Sequence, residues 1–228
     1  MRAAMSQFAA VIFDFGGVIT ASPFEAFNRL EAERGLPRDL IRRINAADPD
    51  SNAWALLERA EISRAEFDAR FAAEAERLGH ELRGADVLAV LAGAIRPGMV
   101  AALDALQQRG LKLGCITNNV PESSGPAMAA DPTSESRYAE IFARFEQVIE
   151  SSKAGLRKPD PRIYLMMCEA LGVEPEQCVY LDDLGINCKP AAALGMRAIK
   201  VTGEAQALKD LSEAVGFDLT RNVLGEPA

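Results

Sequence analysis

Short apolar runs recur along this chain between turn residues, and each has the length of a buried strand. The runs are Ala9–Phe13, Leu111–Ile116, Cys178–Leu181 and Arg197–Val201, the last following Gly195. Runs of this length that do not alternate predict central strands covered on both faces. Helical spacing fills the intervals. Met99, Leu103 and Leu106 share a face after Pro97-Gly98, and Ile163, Met166 and Ala170 share one after Pro159 and Pro161. Ala191 to Leu194 predicts a short helix ended by Gly195. Strand–helix–strand alternation predicts an α/β fold, a doubly wound parallel sheet with right-handed crossovers.

Between the first two runs, residues 20–95 carry no strand signal. They read as helices marked by Phe24/Phe27/Leu30, Trp54/Leu57, Phe67/Phe71/Leu78 and Val87/Leu91, with Ser63 and Glu66 spaced as a capping box. A crossover needs only about a dozen residues. The excess predicts a separate helical domain, 20–95, set into a core made of 1–19 and 96–228, with linkers at Thr20–Pro23 and Ile95–Gly98. The alternative is that these helices simply cover the sheet. The stretch Val120–Ser136, rich in Pro, Ser and Gly, predicts a long loop at the carboxyl edge of the second strand.

Composition narrows the partners. The 228 residues suffice for one good core and a modest second lobe. The formal charge of -8, from 25 Lys and Arg against 33 Asp and Glu, opposes nucleic acid and anionic lipid, and no basic patch overrides it. The first apolar segment is cut by Gln7 and Asp14, which is too short and polar for a signal peptide or a membrane span. Cys115, Cys168, Cys178 and Cys188 lack metal-ligand spacing and read as buried free thiols in a reducing, cytoplasmic setting. His80, after Gly79, reads as a surface residue near a helix C-terminus, with a nucleophilic triad as the other reading. Nothing in the sequence sets the oligomeric state.

Ligands of open parallel sheets bind beyond the carboxyl ends of the strands. The first strand ends in Asp14, followed by Phe15, Gly16 and Gly17; the second ends in Thr117-Asn118-Asn119; the third ends in Asp182-Asp183. Before the third strand, Lys158-Pro159-Asp160-Pro161 delivers a lysine at a helix start. Three carboxylates, a hydroxyl, an amide and an ammonium would meet in one crevice. Hard oxygen ligands suit Mg2+, and an ammonium beside them suits phosphoryl transfer. Each motif alone has a bland reading, such as a helix cap or a surface charge. Their order and shared position at strand ends favour chemistry.

The motifs Phe13-Asp14-Phe15-Gly16-Gly17-Val18, Ile116-Thr117-Asn118, Lys158-Pro159-Asp160-Pro161 and Leu181-Asp182-Asp183-Leu184-Gly185-Ile186-Asn187 resemble the haloacid dehalogenase superfamily. They are similar above all to the phosphatase-like N-terminal domain of soluble epoxide hydrolases and stand-alone hydrolases of that branch. The resemblance implies a Rossmann-like core with an inserted helical cap, and an Mg2+-dependent hydrolase of small phosphomonoesters. It implies Asp14 as nucleophile and metal ligand, with the Gly16 carbonyl also on the metal. Thr117 and Asn118 would hold the phosphate, and Lys158 would bridge it to Asp14. Asp183 would bind the metal directly, Asp182 directly or through a water, and Asn187 would steady the acidic loop. Most phosphatases of the family carry an aspartate two residues after the nucleophile, as proton donor and then general base. Here that residue is Gly16. Two alternatives stay open: a dehalogenase-type or other hydrolase that needs no acid, and a weakly catalytic phosphate-binding module.

Overall fold

The computed structural model describes residues 8–91, 93–119 and 132–220. Five strands form one parallel sheet: β1 (Ala10–Phe13), β2 (Lys112–Thr117), β3 (Gln147–Glu150), β4 (Cys178–Asp182) and β5 (Arg197–Lys200). Their spatial order is β3-β2-β1-β4-β5. β1 is central, pairing Phe13 with Cys115 on one side and with Leu181 on the other. All four residues of β1 are fully buried, as a strand between two helical layers must be.

The helices are α1 (Pro23–Glu33), α2 (Leu40–Ala46), α3 (Ala53–Glu58), α4 (Arg64–Arg77), α5 (Gly84–Leu88), α6 (Pro97–Gln108), α7 (Pro132–Phe142), α8 (Ser151–Ala154), α9 (Pro161–Leu171), α10 (Gly185–Ala193) and α11 (Glu204–Val215). On one face of the sheet Val11 and Phe13 pack with Leu103 of α6, Ile141 of α7 and Leu211 of α11. On the other, Ala10 and Ile12 pack with Ile163 and Met167 of α9 and Ala191 of α10. The sheet is therefore doubly wound.

Helices α1 to α5 lie between β1 and β2 and bury an apolar cluster of their own, including Phe27, Leu40, Ile41, Leu57, Phe67 and Phe71. The Ser63–Glu66 capping box is formed at the start of α4, with both reciprocal bonds made. The chain enters and leaves this helical insertion at one place. Thr20 and Ile95 form an antiparallel bridge, Ala21 N donates to Ala94 O at 2.7 Å, and Arg96 N donates to Ile19 O at 2.9 Å. Among the described residues no helix is long and apolar enough to cross a membrane.

Several expectations need correction. β3 was not foreseen, because Gln147-Val148-Ile149-Glu150 is a half-exposed edge strand with polar ends. Pro132–Ser136 belongs to α7 rather than to a loop, while residues 120–131 lie outside those described. On α9 the buried stripe is Ile163, Tyr164, Met167, Cys168 and Leu171; Met166 is exposed and so is Ala170. Leu78 follows the end of α4 and is exposed.

Candidate active site

Asp14 is the first residue past β1, and its backbone N–H still donates to Leu181 O at 2.8 Å. The carboxylate is thereby fixed at the carboxyl edge of the sheet. Its Oδ1 accepts from Phe15 N at 2.7 Å and meets Lys158 Nζ at 2.7 Å. Among the described residues no hydrogen bond reaches its Oδ2. Lys158 is 1% exposed and lies between two carboxylates, with Asp182 Oδ2 at 2.9 Å, while also donating to Ile116 O at 2.9 Å. Burial pushes the Asp14 carboxyl well above the usual range, a rise that Lys158 opposes and Asp182 and Asp183 reinforce. For Lys158, burial lowers the affinity for its proton, but Asp14 and Asp182 outweigh that and hold the ammonium charged.

Asp182, Asp183 and Asp14 offer carboxylate oxygens within 4.8 Å of one another, a set that could hold a metal ion. Hard anionic oxygens at this spacing fit Mg2+. Distance alone admits all three, but their hydrogen bonds separate them. Asp182 is fully buried. Its Oδ1 accepts from Leu184 N at 2.8 Å and Asn187 Nδ2 at 3.1 Å. Its Oδ2 accepts from Lys158 Nζ at 2.9 Å, Tyr180 OH at 2.5 Å and Asn187 Nδ2 at 3.1 Å. That carboxylate is saturated by donors from its own protein. Among the described residues Asp183 receives only Ser22 Oγ, at 2.8 Å on Oδ2. Burial raises the Asp183 pKa, and the Ser22 bond partly offsets this. Asp14 and Asp183 are thus the two acids with oxygen to spare.

Two glycines differ in what they permit. Gly17 has φ +80, and a Cβ there would lie 2.2 Å from Asp183 Oδ2. Both the turn and the close approach of Asp183 require a residue with no side chain. A Cβ on Gly16 would meet nothing within 4 Å, so the space beside it is open.

Thr117 ends β2, is almost fully buried and lines the cavity beside Asp14. Asn118 does something the sequence did not reveal. Its Oδ1 accepts from Lys158 N at 3.0 Å, and its Nδ2 donates to Lys158 O at 3.1 Å and to Glu58 Oε2 at 3.2 Å. The amide grips the backbone of the lysine instead of standing free. Asn187 bonds both oxygens of Asp182 and is itself held by Tyr164 OH on its carbonyl at 2.8 Å.

The sequence reading missed Glu58, Arg157 and Ser22. Glu58 ends α3 and is buried; its Oε2 also accepts from Arg157 Nε at 2.6 Å, and its Oε1 accepts from Trp54 Nε1 at 2.8 Å. Arg157 adds a bond to Pro49 O at 2.9 Å. One buried acid of the insertion therefore ties it to the segment that carries Lys158. The only sequence signal was the Trp54/Glu58 spacing, one helical turn apart.

A cavity of about 520 Å³ opens above these groups. Asp14, Gly16, Thr117, Asn118, Lys158, Asp183 and Asn187 line its floor, and Phe24, Phe27, Trp54 and Glu58 line it from the insertion. His80 is not among the lining residues, and all four cysteines are free and buried.

Relatives share this chain across most of its length. It is 32% identical over 222 residues to acyl-CoA dehydrogenase family member 10 of Mus musculus, covering 93% of this chain and 20% of that protein. It is 29% identical over 221 residues to bifunctional epoxide hydrolase 2 of Sus scrofa, covering 92% and 39%. The chain thus spans well under half the length of these two relatives. Phosphatase MT3486 of Mycobacterium tuberculosis is 32% identical over 217 residues, covering 90% of this chain and 94% of that one. Among solved structures, a haloacid dehalogenase-family enzyme from Bacteroides thetaiotaomicron, in complex with magnesium and inorganic phosphate, superposes with a TM-score of 0.54 at 19% identity, covering 85% of this chain and 93% of that one. L-2-haloacid dehalogenase of Xanthobacter autotrophicus superposes with a TM-score of 0.59 at 20% identity, covering 91% and 84%. Both show the shared fold. A family profile described as haloacid dehalogenase-like hydrolase matches residues 8–195, and this chain, with its parallel sheet, inserted helices and acid-lined crevice, belongs to that family of hydrolases.

Proposed function

We propose that this protein is an Mg2+-dependent phosphatase acting on small phosphomonoesters through Asp14. The observation that carries the reading is the Lys158 ammonium locked between Asp14 and Asp182, with Asp183 beside them in one cavity. A cationic side chain fixed on a nucleophile-ready carboxylate suits an anionic substrate. The likeness over nearly its whole length to a protein named as a phosphatase supports the same choice.

Asp14 and Asp183 would hold the metal, joined by the Gly16 carbonyl, while Asp182 and Asn187 fix the acidic loop and Lys158. Bound there, the ion supplies positive charge against the phosphoryl oxygens. Asp14 attacks phosphorus with a carboxylate oxygen, the bond from phosphorus to the ester oxygen breaks, and an aspartyl phosphate forms. Lys158 and Thr117 hold the phosphoryl oxygens, and Asn118 sets the lysine backbone. Water then attacks phosphorus and releases Asp14 and inorganic phosphate. Gly16 offers no side chain for proton transfer, so the leaving oxygen departs as the anion and takes its proton from water. Residues 20–95 act as a cap domain over a core of 1–19 and 96–228. Four buried free thiols fit a reducing cytoplasm.

The test is Mg2+-dependent phosphate release from 4-nitrophenyl phosphate, with an acid-quenched sample weighed for a phosphoryl group on Asp14. Asp14→Asn should abolish both signals. Metal-independent chloride release from 2-chloropropionate, without phosphatase activity, would overturn the proposal in favour of dehalogenation.

A further inference from the structure

The cavity is more selective than a general phosphomonoester site. Resting on the phosphatase reading, we infer that the substrate is a phosphate ester of a planar, apolar alcohol whose anion leaves unprotonated, a phenol or an enol. Two independent features converge on this class.

The first is the scarcity of proton donors. Gly16 presents open space. Among the described residues the acids lining the cavity are Asp14, Asp50, Glu58 and Asp183. Asp14 and Asp183 serve attack and metal binding. Glu58 accepts from Trp54, Asn118 and Arg157, and Asp50 lies exposed at the rim. Lys158 is clamped by two carboxylates, and Tyr138 OH donates to Gly93 O at 2.9 Å. No histidine or cysteine lines the cavity among the described residues. A phenol, with pKa about 10, leaves as its anion far more readily than a sugar alcohol.

The second is the wall that would face the leaving group. Phe24, Phe27 and Trp54 form an edge-to-face series with ring centroids 6.0 and 6.1 Å apart. The Arg42 guanidinium lies over the Phe24 ring at 4.5 Å. From the core, Ile186 of α10 lines the same cavity although it is 56% exposed. That is apolar surface left uncovered by the protein. Sugars need many polar partners, yet the polar groups here are spent on one another. Asn118 uses both its oxygen and its nitrogen, and Arg157 is bonded to Glu58 and Pro49. Away from the carboxylates of the floor, Asn45 lines the cavity, and its Oδ1 is buried without a partner among the described residues. It would take a single donor on the ring system.

The experiment compares kcat/KM, with Mg2+, for 2-naphthyl phosphate, glucose 6-phosphate and acetyl phosphate. Wild type should favour naphthyl over glucose phosphate by about 10²-fold or more, the low end of what an acid catalyst contributes. Gly16→Asp should narrow that ratio by about tenfold, because a carboxyl fits the open space and can protonate an alkoxide. Ile186→Ser, at an exposed position that does not threaten folding, should raise KM about tenfold for naphthyl phosphate and leave acetyl phosphate unchanged. Equal turnover of glucose and naphthyl phosphates would overturn the inference while leaving the phosphatase reading intact. So would an unaltered ratio in folded Gly16→Asp, or an unaltered naphthyl KM in Ile186→Ser. No turnover of any of the three phosphates would overturn the phosphatase reading itself, and this inference with it.

Discussion

Replacing Asp182 by asparagine separates a metal ligand from a carboxylate that organises the site. Asp182 is fully buried and accepts five hydrogen bonds, two on Oδ1 and three on Oδ2. An amide nitrogen in place of Oδ1 leaves Leu184 N without its acceptor, and in place of Oδ2 it leaves Tyr180 OH without one and faces the Lys158 ammonium. It also leaves the Lys158 ammonium with Asp14 as its sole carboxylate. Unsatisfied buried donors cost about 1–3 kcal/mol each, and breaking a buried ion pair costs about 3–5 kcal/mol; these overlap here, so about 3–5 kcal/mol is the expected loss. For a chain of this size that lowers Tm by roughly 10 °C. Asp183→Asn is the control. Burial raises the Asp183 pKa in the absence of metal, so removing its charge should leave stability unchanged or higher. Thermal and urea unfolding of both variants in chelator, then in Mg2+, gives the comparison. Asp182→Asn should be destabilised in both conditions, and Asp183→Asn should lose only the Mg2+-induced rise in Tm. If Asp182→Asn in chelator matches wild type within about 1 kcal/mol while losing its Mg2+ response, its hydrogen bonds carry little energy and it is a direct ligand.

Two further outcomes follow from local geometry. Gly17→Ala would place a Cβ 2.2 Å from Asp183 Oδ2 at φ +80, so it should displace Asp183 and weaken Mg2+ binding measured by calorimetry; an unchanged affinity would show that Asp183 does not depend on this contact. Asp68 is held at a pKa of about 2, chiefly by Arg83 and then by the Ala85 N–H. Its folded pKa lies below its unfolded value of about 3.9, so its stabilisation is full above that value and is lost as pH falls towards 2. The Arg83 partner is largely solvent-exposed, which limits the effect to under about 1 kcal/mol, and Asp68→Asn should flatten the urea midpoint between about pH 4 and pH 2.

What the sequence made legible follows from how local each feature is. β1, β2 and β4 were readable because the sheet's inner strands are apolar over most of their length, and β5, an edge strand, was readable from its place after Gly195. β3 was not, because an edge strand needs only Val148 and Ile149. The groups of the candidate site were readable because parallel strands put their final residues in one place, so Asp14, Thr117 and Asp182-Asp183 announced themselves by position. The hydrogen bonds that divide their roles were not. Ser22 reaches Asp183 across 161 positions and Arg157 reaches Glu58 across 99, distances over which no periodicity speaks. The resemblance to the family implied Asn118 as a phosphate ligand; the hydrogen bonds of its amide to the Lys158 backbone and to Glu58 could not be read from sequence. The aromatic spacing of Phe24, Phe27 and Trp54 was equally consistent with a packed interior and with a cavity wall, and these residues serve as both.

The paired crossing at Thr20 and Ile95 has a bearing on how such a protein can change over time. The chain departs and returns at adjoining points, with Arg96 anchored to Gly17 O at 2.7 Å beside the nucleophile loop. Whatever lies between those points can be lengthened, trimmed or exchanged without re-threading the sheet. The carboxylate-lined floor of the crevice and the helical insertion that walls it are thus separable inheritances, joined at a single doorway. A transplant of residues 21–94 between relatives is then a natural way to carry preference for one substrate onto the chemistry of another.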